Sequence, residues 1–290
     1  NHLRTLHQAI VLWLNKLGQD TTMNPRNLAA LSNSIFNSLQ VSGTVNELGI
    51  PENSGARECL LLIDGMGAEL ISKYGSQFPI FKELISFDNL DSHFPSTTAT
   101  NLSSLGTGTL PGVHGMLGYT VRVPRSGEPG RLLNSLKWDE RVDPVIWQNV
   151  PTLFERAAEE NITVSHIAAK RYENTGFTQA VFRGATYRGA NVVDELVAQT
   201  KLALAKSPSL VYLYMNDLDS AGHNDGVGSD KWLAALSMLD HMAKQLIIEL
   251  PKGTRIWLTA DHGMVNVEEK IVMGRDNQLL TGIATIAGEP

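Results

Sequence analysis

The stretch FPSTTATNLSSLGTGTLPGVHG, residues 94–115, is rich in hydroxyl groups, with five threonines and three serines. A threonine hydroxyl is a poor nucleophile at neutral pH and needs a base or a metal ion to become an alkoxide. Residues 98–105 have a helical pattern, so Thr97 or Thr98 would lie at a helix N-terminus, where free N–H groups and the helix dipole favour a phosphate. The stretch therefore predicts either a nucleophile acting on phosphate or, more plainly, a set of helix-capping hydroxyls.

Carboxylates follow three separate apolar runs of the chain. CLLLI leads into Asp64, LVYLYM leads into a segment with two aspartates, and RIWLTA leads into Asp261. The carboxyl ends of strands in an open parallel sheet form a crevice in which ligands bind. Each acid alone is equally compatible with a turn or a helix cap, but three acids at one edge repel one another unless a cation lies between them. The pattern therefore indicates a cation site.

Two histidines accompany these acids. His223 follows Asp219 by four residues, so one helical turn or a tight loop can direct both at one ion, and His262 directly follows Asp261. Mixed carboxylate and imidazole ligands suit Zn²⁺, or Mn²⁺ less tightly. A divalent ion held by Asp64, Asp261 and His262 would activate a nearby threonine hydroxyl.

The elements that must position these residues alternate between strands and helices. Four apolar runs, at residues 59–63, 163–169, 210–215 and 255–260, have the β-branched and aromatic content of strands covered on both faces. Helical patterns lie between them, and the last, from Ser229, has apolar residues at spacings of three and four. We expect an α/β fold with a layered, mostly parallel sheet, helices on both faces and a small inserted loop or cap at about residues 116–150.

Composition narrows the classes of function. The chain has 290 residues, 42% of them hydrophobic, and a net charge of -6, which argues against a nucleic acid polymer or an anionic membrane as partner. The single cysteine, Cys59, excludes an internal disulfide and a cysteine-based zinc cluster. The longest apolar run near the start, AIVLWL, is too short to span a membrane, and we expect a cytoplasmic protein. The composition leaves the oligomeric state open.

The two ends of the sequence suggest boundaries. Met23 is followed by Asn-Pro and looks like a natural start, so residues 1–22 would be a non-native extension. The final residues GIATIAGEP stop in the middle of a pattern. We therefore expect residues 23–290 to form an incomplete catalytic domain, truncated at its C-terminal end.

Four motifs together resemble the type I phosphodiesterase / nucleotide pyrophosphatase family of the alkaline phosphatase superfamily. They are LLLIDGMG, the hydroxyl-rich stretch, DLDSAGH and LTADHGM, in the family's order and over roughly residues 59–270. The pattern FPS-x-T-x-x-N, followed by TG and HG, is the most specific part. The resemblance implies an alkaline-phosphatase-like fold and a metal-dependent hydrolase that cleaves phosphodiester or pyrophosphate bonds of nucleotide-type substrates.

The resemblance also implies roles for individual residues. Thr98 would be the nucleophile and form a phospho-threonine intermediate, with Thr97 as the local competitor, and Asn101 would donate a hydrogen bond to a phosphoryl oxygen. Two divalent metal ions, Zn²⁺ or alternatively Mn²⁺, would complete the site. One ion would be held by Asp64, Thr98, Asp261 and His262, and the other by Asp219 and His223.

One departure and several alternatives remain. The family's second ion takes a further histidine near the C-terminal end, and no histidine follows His262; we expect that ligand beyond Pro290. A phosphomonoesterase or phosphonate hydrolase of the same superfamily, or an inactive metal-stabilised binding module, would carry the same motifs. A dinucleotide-binding interpretation of Asp64-Gly65-Met66-Gly67 lacks the third glycine and puts an acid at the pyrophosphate position.

Overall fold

A seven-stranded sheet with helices on both faces forms the centre of the protein. The computed structural model describes residues 10–13, 15–16, 26–53, 56–83, 85–86, 90–127, 130–273, 278–283 and 285–288. The strands are β1 Ile10–Trp13, β2 Asn15–Lys16, β3 Arg57–Ile63, β4 Ile85–Ser86, β5 Leu90–Asp91, β6 Thr120–Arg122, β7 Leu132–Asn134, β8 Thr163–Ala168, β9 Thr186–Gly189, β10 Ser209–Met215 and β11 Thr254–Thr259.

Eleven α-helices connect these strands within the described residues. They are α1 Leu28–Ser38, α2 Ala68–Tyr74, α3 Pro79–Lys82, α4 Thr98–Thr107, α5 Pro111–His114, α6 Pro144–Trp147, α7 Leu153–Glu159, α8 Gly176–Val181, α9 Val193–Ala203, α10 Asp217–Asp225 and α11 Asp230–Glu249. Short 3-10 turns follow α2 and β8. The four strands and the main helices expected from the apolar pattern are present, and Ser229 caps α11 by accepting a hydrogen bond from the Trp232 N–H.

The strands of the main sheet are parallel and run in the order β4-β1-β11-β3-β10-β8-β9. The sheet separates two apolar cores because its side chains alternate between faces. Helices α2, α3, α9 and α11 pack on one face, over Leu61, Leu213 and Leu258. Helices α1, α4, α7 and α8 pack on the other, over Leu62, Tyr212 and Trp257. This three-layer arrangement confirms the expected α/β fold.

The predicted insertion at residues 116–150 has its own small structure. Strands β6 and β7 form an antiparallel hairpin, and Val123, Leu133 and Val142 form a separate apolar cluster against two tryptophans. Its Leu136 side chain reaches the cavities at the carboxyl end of the sheet. This segment therefore lies over part of that edge, and its description as an inserted cap stays a prediction.

The first residues include a strand of the main sheet. β1 lies between β11 and β4, while most of residues 1–22 lie outside the described residues. The sequence-based suggestion that this segment is non-native concerns its origin and stays a prediction. Among the helices of the described residues, none combines the length and the apolarity needed to cross a bilayer.

Candidate metal and phosphate site

The acids expected at the strand ends lie on neighbouring strands. β3 has β11 on one side and β10 on the other. The register pairs Leu62 with Thr259. Asp64 and Asp261, each two residues further along, therefore lie at equivalent positions just beyond the ends of their strands. The backbone N–H of Asp64 also donates to the carbonyl of Met215 at the end of β10 (2.8 Å). The sheet order thus brings together residues that are almost 200 positions apart in the sequence.

Three of the predicted ligands form one compact cluster. One ligand atom from each of Asp64, Asp261 and His262 lies within 4.8 Å of the other two. His262 Nε2 is 3.2 Å from Asp64 Oδ1 and 3.6 Å from Asp261 Oδ2. Both carboxylates are buried, at 2% and 0% exposure. Burial of two acids and an imidazole is stabilised only by pairing or by a bound cation.

Glycines allow the two strand-end loops to approach this closely. A Cβ atom on Gly67 would lie 2.6 Å from the Cα atom of Gly263. Gly65 has a φ of 73°, a left-handed conformation that glycine adopts without steric cost, and its N–H donates to Asp261 Oδ1 (3.2 Å). Gly65 is therefore needed for the turn after Asp64, and Gly67 for the close approach of the two loops.

Thr98 lies next to this cluster. It is the first residue of the ten-residue helix α4, and its Oγ1 is 3.2 Å from His262 Nε2. Thr97 is the N-cap residue, but its side chain makes no capping hydrogen bond, so the simple capping interpretation does not hold for it. Thr97 is buried at 7% exposure, whereas Thr98 is partly exposed. The structure therefore presents the Thr98 hydroxyl both to the acidic cluster and to the helix N-terminus.

Asp219 and His223 form the second predicted pair. They lie one turn apart on α10, and His223 Nε2 is 3.4 Å from Asp219 Oδ1. The Asp219 side chain is 17% exposed and that of His223 is 71% exposed. A Cβ atom placed on Gly65 would be 3.3 Å from the Asp219 Cβ, so this pair adjoins the first cluster. Asp217, which precedes it by two residues, is exposed.

Asn101 is buried in α4 and contacts the loop before the helix. Its Oδ1 accepts from the His93 N–H (2.7 Å), and its Nδ2 donates to the Thr97 carbonyl (3.1 Å) and, over 3.5 Å, to the His93 carbonyl. The amide therefore fixes the backbone that leads into Thr98. The donation to a phosphoryl oxygen implied by the resemblance is not among these contacts and stays a prediction.

Tyr214 is a site residue that the sequence reasoning missed. Its hydroxyl donates a short hydrogen bond to Asp64 Oδ2. Burial and the charge of Asp64 raise the pKa of Tyr214 well above its ordinary value, so the hydroxyl keeps its proton and acts as a donor. Period-two alternation along LVYLYM puts Tyr212 and Tyr214 on one face. The register that sets Tyr214 beside Leu62 cannot be read from that alternation.

Burial and mutual repulsion of the acids shift the pKa values of the cluster. Burial and the charge of Asp64 raise the pKa of Asp261 to about 8 and that of Asp219 to about 6. Burial alone would raise the pKa of Asp64, but His262 and Tyr214 hold it below its ordinary value. Burial alone would lower the pKa of His262, but Asp261 and Asp64 raise it well above its ordinary value. One imidazolium thus faces three acidic groups, two of which hold their protons more tightly than usual because burial and their shared negative charge raise their pKa values, as expected of a site shaped for further positive charge.

The hydrogen bonding of the buried carboxylate oxygens indicates whether these residues fit a metal ion. Asp64 Oδ1, Asp219 Oδ1 and Asp261 Oδ2 are buried and accept no hydrogen bond of regular geometry from the described residues. Each has an imidazole nitrogen nearby, at 3.2, 3.4 and 3.6 Å respectively. Buried polar atoms are nearly always hydrogen-bonded, so such a group indicates an ion or water. Oxygen and imidazole nitrogen together suit zinc. The residues therefore fit a divalent cation, with Asp64, Asp261 and His262 as its nearest protein ligands.

Two cavities open beside Thr98. The larger, of about 1170 Å³, runs along Asp219, His223 and His262 and reaches Tyr119 in the insertion. The smaller, of about 160 Å³, extends from Thr98 and Asp64 to His166 on β8. Thr98 and Asp219 line both cavities, so a group bound near Thr98 can extend in two directions.

The chain is similar in sequence to known proteins. The sequence model of the type I phosphodiesterase / nucleotide pyrophosphatase family matches residues 59–281. Ectonucleotide pyrophosphatase/phosphodiesterase family member 1 of Rattus norvegicus is 24% identical over 219 residues, which are 71% of this chain and 24% of that protein. The Caenorhabditis elegans ectonucleotide pyrophosphatase/phosphodiesterase C27A7.1 is 25% identical over 211 residues, 70% of this chain and 25% of that protein. The chain thus spans about a quarter of the length of these curated relatives.

A solved structure has the same fold. Murine ectonucleotide pyrophosphatase / phosphodiesterase 5, an inactive variant in complex with AMP, superposes with a TM-score of 0.57 at 16% sequence identity, over 74% of this chain and 59% of that chain. The family model, over residues 59–281, spans the strands that carry the acids as well as the hydroxyl-rich stretch. The chain belongs to the type I phosphodiesterase / nucleotide pyrophosphatase family, within the alkaline phosphatase superfamily.

Proposed function

We propose that the protein is a metal-dependent hydrolase that cleaves phosphodiester or pyrophosphate bonds of nucleotide-type substrates, with Thr98 as its nucleophile. The observation that carries this proposal is the Thr98 hydroxyl at the start of α4, 3.2 Å from His262 Nε2, beside the Asp64–Asp261–His262 cluster. Membership of the family and the relatives named as nucleotide pyrophosphatases support the reaction class. The AMP bound by the murine relative supports a nucleotide-type substrate.

Asp64, Asp261, His262 and Thr98 would hold one divalent ion, and Asp219 with His223 would hold a second. Bound zinc would supply positive charge that favours the alkoxide form of a threonine and offsets the charge of a phosphoryl group. The orphaned oxygens of the three carboxylates support this ligand set.

The chain's own groups account for orientation and proton transfer. The first N–H groups of α4 point at a phosphate placed beside Thr98 and bind its oxygens. Thr98 Oγ attacks phosphorus, the bond to the leaving oxygen breaks, and a phospho-threonine forms. A water molecule then attacks that phosphorus and releases the threonine. The proton of Thr98 goes to water in the larger cavity, because His262 Nε2, although 3.2 Å from the hydroxyl, is the nitrogen proposed to hold the ion.

Hydrolysis of two chromogenic esters tests the function. With Zn²⁺ present, we expect faster turnover of bis-p-nitrophenyl phosphate than of p-nitrophenyl phosphate. A preference for the monoester would instead support a phosphomonoesterase, and bound metal without turnover of either ester would support a binding module. Metal content, measured in parallel, separates an inactive site from an empty one.

The nucleophile has a matched pair of variants. Thr98→Ala should reduce turnover by at least about a thousandfold, as the loss of a nucleophile does, while the Asp64–Asp261–His262 ligands keep bound zinc. Thr97→Ala, at the adjacent buried position, should retain most of the rate. If Thr97→Ala loses activity and Thr98→Ala keeps it, the assignment of the nucleophile is wrong.

A further inference from the structure

The helix that carries the second predicted pair of metal ligands is anchored in the core at one end. Among the residues of α10, all of which the structure describes, only Leu218 in the first turn is fully buried. His223 lies in the last turn, and its side chain is 71% exposed and contacts Asp219 Oδ1 at 3.4 Å. The end of α10 that bears His223 therefore needs support from outside the core.

Met264, two residues after His262, gives this helix apolar support. A Cβ atom on Gly222 of α10 would lie 2.5 Å from Met264 Sδ, and one on Gly65 would lie 2.9 Å from the same atom. The Met264 side chain thus packs between the turn after Asp64 and the helix. A flexible thioether is well suited to fill such a gap. The segment after β11 therefore joins the two predicted ion sites by packing.

Asn266 adds a polar contact to the same segment. The Val227 N–H donates to Asn266 Oδ1 (2.8 Å), and Asn266 Nδ2 donates to the Val227 carbonyl (3.1 Å). One amide side chain supplies both an acceptor and a donor, so the backbone is held on both sides of Val227. We call this pair of hydrogen bonds the Asn266 clasp.

The clasp joins equivalent places on the two ligand segments. Asn266 follows His262 by four residues, and Val227 follows His223 by four residues. Between His223 and Val227 the chain leaves the helix at Gly226, whose φ of 91° is a conformation that glycine adopts without steric cost. Because both connections are short, the clasp restricts the separation of the two imidazoles.

The nearby ion pair does not serve this purpose. Lys231 Nζ lies 2.7 Å from Asp225 Oδ1, so it ties the end of α10 to α11 and does not reach the segment of His262. Ion pairs between exposed side chains also contribute little. Asn266, by contrast, lines the larger cavity together with His223 and His262.

We propose that Asn266 is a positioning residue for the second metal site: by holding Val227, it fixes His223 at the separation from His262 that a second ion requires. The inference rests on the proposed function, because it concerns the ion that Asp219 and His223 would hold. Asn266 is not itself a ligand, since its amide oxygen and nitrogen are both bonded to Val227.

Hydrogen exchange measured by NMR tests the clasp in metal-free protein. Asn266→Ala should speed exchange of the Val227 N–H about two- to tenfold, as expected for the loss of one hydrogen bond. Asn266→Asp keeps the acceptor and should leave this exchange slow. Asn224→Ala, the same change as Asn266→Ala at an exposed position of α10, should have no effect.

Titration of metal-free protein with Zn²⁺ against a chromogenic chelator tests the positioning role. The equivalent of zinc that is lost in Asp219→Asn identifies the second site. Asn266→Ala should raise the Kd of this equivalent about tenfold and that of the other by less than about twofold, because loss of a group that orients a ligand weakens binding at that ligand's own site. Asn224→Ala should change neither Kd.

Four results would overturn the proposal. Unchanged exchange of the Val227 N–H in Asn266→Ala would show that the clasp does not form in solution. An unchanged Kd of the second equivalent, equal weakening of both equivalents, or binding of a single equivalent by the unaltered protein would refute the positioning role. Failure of the proposed function is seen separately, as absence of bis-p-nitrophenyl phosphate hydrolysis by protein that holds both equivalents of Zn²⁺.

Discussion

The hydroxyl of Tyr214 should control how tightly the cluster binds zinc. This hydroxyl donates to Asp64 Oδ2, while Asp64 Oδ1 faces His262 Nε2 at 3.2 Å. Tyr214→Phe keeps the ring, and therefore the packing, but removes the donor. A hydrogen bond to a charged group contributes about 1.5–3 kcal/mol, which corresponds to roughly a tenfold to hundredfold change in an equilibrium constant. Loss of partners of this kind typically weakens metal binding by about the same factor.

Competition with a chromogenic zinc chelator at neutral pH measures this effect. We expect the zinc Kd of Tyr214→Phe to rise about ten- to hundredfold, and the melting temperature of the metal-free protein to fall by several degrees, because the same hydrogen bond is lost there. Tyr172→Phe is the matched control, because Tyr172 lines the same cavity and its hydroxyl accepts from Arg171 (2.9 Å). Equal zinc affinity in the two variants would refute the reasoning that Tyr214 orients a metal ligand through Asp64.

Three other predictions follow from the site. In metal-free protein, the pKa values of Asp219 and Asp261 are raised from 3.8 to about 6 and about 8. The stability that these groups gain from retained protons is therefore lost as the pH rises from about 4 to about 8. The melting temperature in chelator should fall over this range, and saturating Zn²⁺ should abolish the fall. Asp219→Asn should remove one equivalent of bound zinc, as measured by elemental analysis. Asp217→Asn, at an exposed position two residues earlier, should remove none. Equal zinc stoichiometry in the two variants would contradict a second metal site. Gly67→Ala would force a methyl group into the facing backbone and should lower the free energy of unfolding, measured with urea, by about 1–3 kcal/mol. Gly112→Ala, with open space around it, should leave that free energy unchanged. Similar unfolding curves for the two variants would contradict the close approach of the loops.

Local patterns were enough to predict the fold class. Runs such as CLLLI and LVYLYM are recognisable as buried strands because their composition and length depend on near neighbours in the sequence. The cap of α11 at Ser229 is equally local, because the Ser229 hydroxyl accepts from the N–H of Trp232, only three residues further along the chain. The short strands β1 and β4, by contrast, carry too few residues for a pattern and are held by their partners in the sheet.

The composition of the candidate site was predictable because its ligands follow strands. Asp64, Asp261 and His262 were expected together from the rule that parallel strands end at one edge, and the structure groups them. The helical form of the Asp219–His223 segment was open in the sequence and is α10 in the structure. The roles of Thr98 and Asn101 in a reaction remain predictions that the variants above test.

What the sequence alone determined is the set of chemical groups and their position within each element: acids at strand ends, imidazoles one or four residues later, and hydroxyls at the start of a helix. What only the tertiary structure decided is which of these groups meet and what surrounds them. Strand order sets β10, β3 and β11 side by side, and the register brings Tyr214 to Asp64. The packing around β8 leaves both ring nitrogens of His166 without a hydrogen-bond partner among the described residues. The physical reason is that periodicity encodes which face a side chain takes, whereas contacts between distant strands depend on how the whole core packs.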